Sequence, residues 1–234
     1  MQFNRTLNLL LAVLLMAFFI GCMDDQPTSP VQQKVSKQEV GLNKVAPDLK
    51  KATSSGTNNG YFWQNYTEGG SSSMTFGSGG NFAVSWNNCN DIVAGKGWNP
   101  SGARNVGYNC GALSGSYKFF GVYGWTTNPL IEYYVAERGS ASGGTNVGSV
   151  SSDGHTYSLW KQQRVNAPSI QGTQTFWQFK SSWGGSGSGN HTVTLNNHWN
   201  AWKSKMGSMG SGNLLIIAVE NWGGGSGYCN ATVW

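Results

Sequence analysis

Between Gly56 and Trp234 the chain carries only six carboxylates: Glu68, Asp91, Glu132, Glu137, Asp153 and Glu220. Two of them sit where a carboxylate is costly. Glu132 lies inside Leu130-Ile-Glu-Tyr-Tyr-Val135, and Glu220 inside Leu215-Ile-Ile-Ala-Val-Glu-Asn-Trp222. A charge in so apolar a strand must face something that offsets its desolvation. With a side-chain period of two, Glu132 shares a face with Tyr134 and Ala136, and Glu220 with Ala218 and Trp222. Each therefore looks onto an aromatic-bearing face. By contrast, Glu68 in Thr67-Glu-Gly-Gly70 and Asp153 in Ser152-Asp-Gly154 read as turn residues. Glu137 reads as a strand end beside Arg138. Two carboxylates on an aromatic face suit glycoside hydrolysis, in which one attacks and the other protonates the leaving oxygen. Their separation decides between retention and inversion. The competing reading, two unrelated edge-strand carboxylates, leaves the apolar strands around them unexplained.

The elements that must position this pair are short. Asn81–Trp86, Tyr117–Trp125, Leu130–Val135, His155–Trp160, Thr173–Lys180, His191–Leu195 and Leu214–Val219 are β-type runs separated by Gly, Ser and Asn turns. That rhythm predicts an all-β sandwich or barrel. One segment differs. Asn197 to Met206 holds better helix formers and is followed by Gly207, a plausible C-cap. Two packed antiparallel sheets with a single α-helix outside them are expected. Composition agrees: 34 glycines, 13% aromatics and 11% charged residues, against about 25% charged in an average soluble protein. The net charge of +5 is scattered and forms no basic stripe, which argues against nucleic-acid binding. His155, His191 and His198 are isolated, no Cys or His spacing suits a metal, and no cofactor is expected.

Outside this domain the chain reads differently. Arg5 precedes an apolar run from Leu7 to Ile20, too short for a membrane span of about 20 residues. Residues 1–21 read as a lipoprotein signal peptide. Gly21-Cys22 resembles a lipobox, which makes Cys22 the expected site of lipidation. An ordinary signal peptide with an incidental Cys is the alternative. Residues 22–55 are rich in charge, contain Pro27, Pro30 and Pro47, and read as the lipidated Cys with a disordered tether. Residues 56–234 are the catalytic domain. An exported, membrane-anchored or secreted monomer follows, touching the membrane only through its anchor. Export permits disulfides. Cys89 and Cys110 flank a hairpin expected at Asn99-Pro-Ser-Gly102, so a Cys89–Cys110 bridge is the first choice, with Cys229 paired to either as the other.

From Tyr61 to Trp234 the sequence resembles glycoside hydrolase family 11, the small β-jelly-roll xylanases. The motifs are Tyr61-Phe-Trp-Gln-Asn-Tyr66, Gly95-Lys-Gly-Trp98, Tyr123-Gly-Trp125, Pro129-Leu-Ile-Glu-Tyr-Tyr134, Arg164-Val-Asn-Ala-Pro-Ser-Ile170, Asn200-Ala-Trp202 and Thr232-Val-Trp234. The resemblance implies two curved sheets like a half-closed hand, with Pro168, Ser169 and Ile170 in a thumb over the cleft. It implies a retaining endo-β-1,4-xylanase with Glu132 as nucleophile and Glu220 as general acid/base. Tyr123, Tyr134 and Arg164 would surround the nucleophile, while Tyr66, Trp125, Pro168, Gln178 and Trp222 would line subsites for xylan and xylo-oligosaccharides. Asp91 stands five residues before Lys96, where the family carries Asn or Asp beside the acid/base. A carboxyl there titrates together with its neighbour, and an acidic pH optimum is expected.

Three departures stand out. The usual Glu-Gly-Tyr reads Glu220-Asn221-Trp222, the following Gly223-Gly-Gly225 loop looks longer, and Lys180 stands where an aromatic is common. Other classes remain to be weighed. A non-catalytic sugar-binding module would not need both glutamates, and a structural surface lipoprotein would need neither. Against a related jelly-roll endoglucanase, the Pro168-Ser-Ile170 thumb favours xylan.

Overall fold

The computed structural model describes residues 51–186 and 189–234. The expected signal peptide, Cys22 and the other residues up to 50 lie outside the described residues. In chain order the strands are β1 Lys51–Asn58, β2 Tyr61–Glu68, β3 Ser71–Phe76, β4 Asn81–Asn87, β5 Asp91–Trp98, β6 Asn105–Gly115 and β7 Phe119–Thr127. They continue as β8 Ile131–Gly139, β9 Thr145–Ser152, β10 His155–Ser169, β11 Gly172–Ser182, β12 Gly189–Thr194, β13 Ser211–Asn221 and β14 Gly227–Val233. The helix α1 spans Leu195–Met206. β1 begins before Gly56 and pairs with β2 from Lys51 onward, so residues 51–55 belong to the sheet rather than to the tether.

Nine strands form one sheet in the order β1-β2-β5-β13-β7-β8-β11-β10-β9, and five form the other in the order β12-β6-β14-β4-β3. Pairing is antiparallel throughout, as expected for a jelly roll, except that β8 and β11 run parallel. Alternation does the layering. On β13, Leu215, Ile217 and Val219 face the inter-sheet core, while Ile216 and Ala218 face the opposite side with Glu220. Both faces of that strand are buried, which explains its continuous apolar run. Gly95 and Gly97 are needed beside it, because a Cβ at either would collide with the β13 backbone. Lys96 between them is fully buried, and its Nζ donates to Asn58 Oδ1 (2.8 Å), Gly79 O (2.9 Å) and Asn81 O (3.2 Å), which satisfies all three of its hydrogens.

The helix packs Trp199, Trp202 and Met206 against Tyr133 and its neighbours in the inter-sheet core. Its cap comes from elsewhere. Asp153, in the β9–β10 turn, accepts from the Thr194 backbone N–H (2.8 Å) and hydroxyl (2.7 Å). The turn residue read from sequence thus also holds the helix start. Glu137 is a clearer correction. It is 2% exposed, and the hydroxyls of Tyr108 and Tyr157 both donate to it at 2.8 Å. Two phenols inside the core offset its burial.

The cysteine expectation fails. Cys89, Cys110 and Cys229 are free and buried. The segment at Asn99–Gly102 is not a hairpin: β5 pairs in the nine-stranded sheet, while β6 pairs with β12 and β14 in the other. The chain crosses between sheets there, so folding back about that turn never brings Cys89 opposite Cys110.

Candidate active site

The concave face of the nine-stranded sheet encloses a cleft of about 720 Å³. Glu132 and Glu220 both line it, at 8% and 6% exposure. They come from β8 and β13, with β7 between them. Register alone does not make them neighbours. Glu132 is opposite Trp125, whereas Glu220 is opposite Phe119 at the other end of β7. The two are nonetheless felt by the same side chains: both charges act on Tyr123 and on Tyr134.

Glu132 is held from both sides. Tyr123 donates its hydroxyl to Oε1 at 2.7 Å, and Gln178 donates Nε2 to Oε2 at 2.6 Å. Tyr123 is oriented in turn, because Trp125 Nε1 donates to its oxygen at 2.7 Å. The parallel β8–β11 pair explains the second clamp, since it sets Gln178 directly beside Glu132. Burial pushes the Glu132 carboxyl up, while Gln178, Tyr123, Tyr134 and the Arg164 charge pull it down. Glu220 has less help. Its Oε2 is buried without a protein partner. Burial, then the Glu132 and Asp91 charges, push it well above the ordinary carboxylate range. The two carboxyls thus stand in dissimilar settings, one held by two donors and the other with an unpartnered oxygen.

Asp91 and Arg164 line the same cleft, as do Tyr66, Pro168, Ser169, Ile170 and Trp222. Burial raises Asp91 to about 7, with the Glu68 charge next. Its Oδ1 is buried and unpartnered. The thumb is the β10–β11 hairpin. Its tip is stapled by Ser169, whose Oγ donates to Gly172 O (2.7 Å) and accepts from the Gln171 N–H (3.0 Å). A bulge between Arg164 and Ala167, with Asn166 at φ +48°, bends the hairpin.

Sequence reasoning missed Glu68. It ends β2, opposite Asp91, lines the cleft, and accepts from the Tyr66 hydroxyl at 3.0 Å. The Gly69-Gly70 pair hid it by marking a turn one residue too early. The available signal was the alternation of Gln64, Tyr66 and Glu68, which share a strand face.

Residues 58–232 match the family model for glycosyl hydrolases family 11. The chain belongs to glycoside hydrolase family 11. It is a glycoside hydrolase, and its relatives agree. It is 43% identical over 172 residues to a probable endo-1,4-beta-xylanase B of Aspergillus clavatus, covering 71% of this chain and 77% of that protein. It is 41% identical over 187 residues to endo-1,4-beta-xylanase B of Phanerodontia chrysosporium, covering 76% of this chain and 63% of that one. Among solved structures, one of two major endo-1,4-beta-xylanases from Trichoderma reesei superposes with a TM-score of 0.65 at 40% identity, covering 74% of this chain and 97% of that one.

Proposed function

We propose that the protein is a retaining endo-β-1,4-xylanase acting by double displacement through Glu132 and Glu220. The observation that carries this reading is the unequal setting of the two buried carboxylates. Glu132 receives a donor on each oxygen, which favours its charged form and fixes it for attack on the anomeric carbon. Glu220 keeps its proton and gives it to the leaving oxygen, then takes one from the water that hydrolyses the glycosyl-enzyme. Pro168, Ser169 and Ile170 grip the chain from the thumb, and Tyr66, Trp125 and Trp222 offer ring faces to the sugars.

Asp91 and Glu220 titrate as a pair that shares a proton in the active form. Asp91 stands at about 7. The shared proton is therefore held below neutrality and given up as pH rises through it, which puts the optimum on the acid side. An amide at position 91 cannot ionise, so the shared-proton pair is lost and the alkaline limb belongs to Glu220 alone, which burial and the Glu132 charge still hold above its ordinary value without the Asp91 contribution. Asp91→Asn should move the optimum upward in a pH profile of kcat/KM on xylan. An unchanged profile would sink the pairing. Paired assays on xylan and a soluble cellulose derivative test the substrate class, with turnover expected on xylan alone.

Export and anchoring rest on the N-terminal pattern: Arg5, the apolar run and Gly21-Cys22. We infer a lipidated, exported monomer. Incorporation of labelled fatty acid into the full chain, lost in Cys22→Ser, is the expected result. Labelling that persists would contradict it.

A further inference from the structure

Lys180 is an unusual residue for a cleft that binds a neutral sugar chain. It is 6% exposed yet lines the cleft, two residues beyond Gln178 on β11 and opposite Tyr134 on β8. Its Nζ donates to Gln162 Oε1 at 2.7 Å and to Ser142 O at 3.3 Å. Both acceptors are neutral, and one of the three ammonium hydrogens is left. Among the described residues no carboxylate stands within ion-pair distance of Lys180, and the ion pair present is Lys51–Glu68 at the opposite edge. The Glu132 and Glu220 charges act on it from across the cleft, but neither is in contact, and a buried cation without a contacting counter-charge costs stability that a hydrophobic residue there would not.

The surroundings keep this ammonium open. The loop beside it is Ser140-Ala-Ser-Gly-Gly144, with no large side chain. Gly143 has φ +114°, and a Cβ there would stand 3.2 Å from Gln162 Oε1 and 3.7 Å from Lys180 Nζ. Arg164 on β10 adds a second cation to the same flank. On the other flank Glu68 on β2 and Asp91 on β5 make the cleft acidic. The charge therefore runs in one direction across the site. Burial lowers Lys180 to about 8, so it still carries its charge at neutral and acid pH.

A β-1,4-xylose backbone is uncharged, and the anion it can bring is a uronic-acid branch. We propose that Lys180, with Arg164 on the same flank, receives the carboxylate of a uronic-acid substituent on the xylan chain. The remaining ammonium hydrogen supplies a charge-assisted bond that a neutral branch cannot accept in ionic form. This rests on the two-glutamate cleft being the catalytic centre.

The test compares two polymers: a glucuronic-acid-bearing xylan and the same polymer with its carboxyls reduced to alcohols. The readout is the ratio of kcat/KM between them at low salt. The parent enzyme should favour the acidic polymer. Lys180→Met should lower that ratio about tenfold, as expected for one charge-assisted hydrogen bond, and Lys180→Arg should keep most of it. The difference should shrink as salt is raised. An equal loss on both polymers in Lys180→Met, with a displaced pH profile, would overturn the proposal and make Lys180 a counter-charge for the two glutamates. A parent ratio of one would also overturn it. Failure of the parent to cleave either polymer would instead refute the reading of the cleft itself.

Discussion

At Glu132 two hydrogen bonds offset the burial of a carboxylate. Tyr123 and Gln178 each give one, and Trp125 aims the tyrosine. Tyr123→Phe removes one donor and leaves the ring. Loss of a hydrogen bond to a charged group is worth about 1.5–3 kcal/mol, so kcat should fall about 10- to 100-fold. A retained fold, seen by circular dichroism, would separate this from unfolding, and a kcat near the parent value would show that Gln178 suffices. Glu132→Ala and Glu220→Ala should each abolish nearly all turnover of xylan. At this scale the sequence was informative at Glu132 and Glu220, where a carboxylate stands inside an apolar run. It was silent on Glu68, because glycines announced a turn before the strand had ended, and on Glu137, because its two phenol partners lie on β6 and β10.

Elements were legible to the extent that their periodicity was local. Seven of the strands and the single helix could be read from alternation and from glycine, and the thumb from the family resemblance. The sheet to which each strand belongs could not. β5 and β6 look like a hairpin in sequence, but each pairs in a different sheet, and only the packing of Ile92, Ala94, Val106 and Tyr108 into the inter-sheet core decides that. The parallel β8–β11 pair was equally invisible, although it sets Gln178 against Glu132. The helix cap from Asp153 is likewise nonlocal. Asp153→Ala removes both acceptors of Thr194, and should destabilise the domain by about 1 kcal/mol. Chemical denaturation at pH 7 measures this. Partial rescue by Asn, which keeps one acceptor oxygen, is expected.

For the whole molecule, acidity works against the fold through a buried histidine. His198 is fully buried against Tyr157, and neither ring nitrogen has a protein partner. Burial lowers its pKa from 6.5 to about 4. The unfolded chain therefore takes up a proton near pH 6.5 that the folded chain refuses until about 4. Stability from this group is full above that window and falls through it, by about 3 kcal/mol in total. His198→Gln should flatten the decline of unfolding free energy between pH 7 and pH 4 relative to the parent. Equal slopes in both proteins would show that other groups govern acid unfolding. The raised carboxyls of Glu132 and Glu220 act in the opposite sense, because the folded state holds their protons more tightly.

The most direct measurement is the anomeric configuration of the first product of xylan cleavage, followed by proton NMR in the first minutes, with Glu132→Ala alongside. A double displacement through Glu132 predicts the β-anomer first, mutarotation to the α-anomer later, and no turnover in the variant. An α-anomer formed first, or turnover that survives without Glu132, would contradict the two-glutamate mechanism.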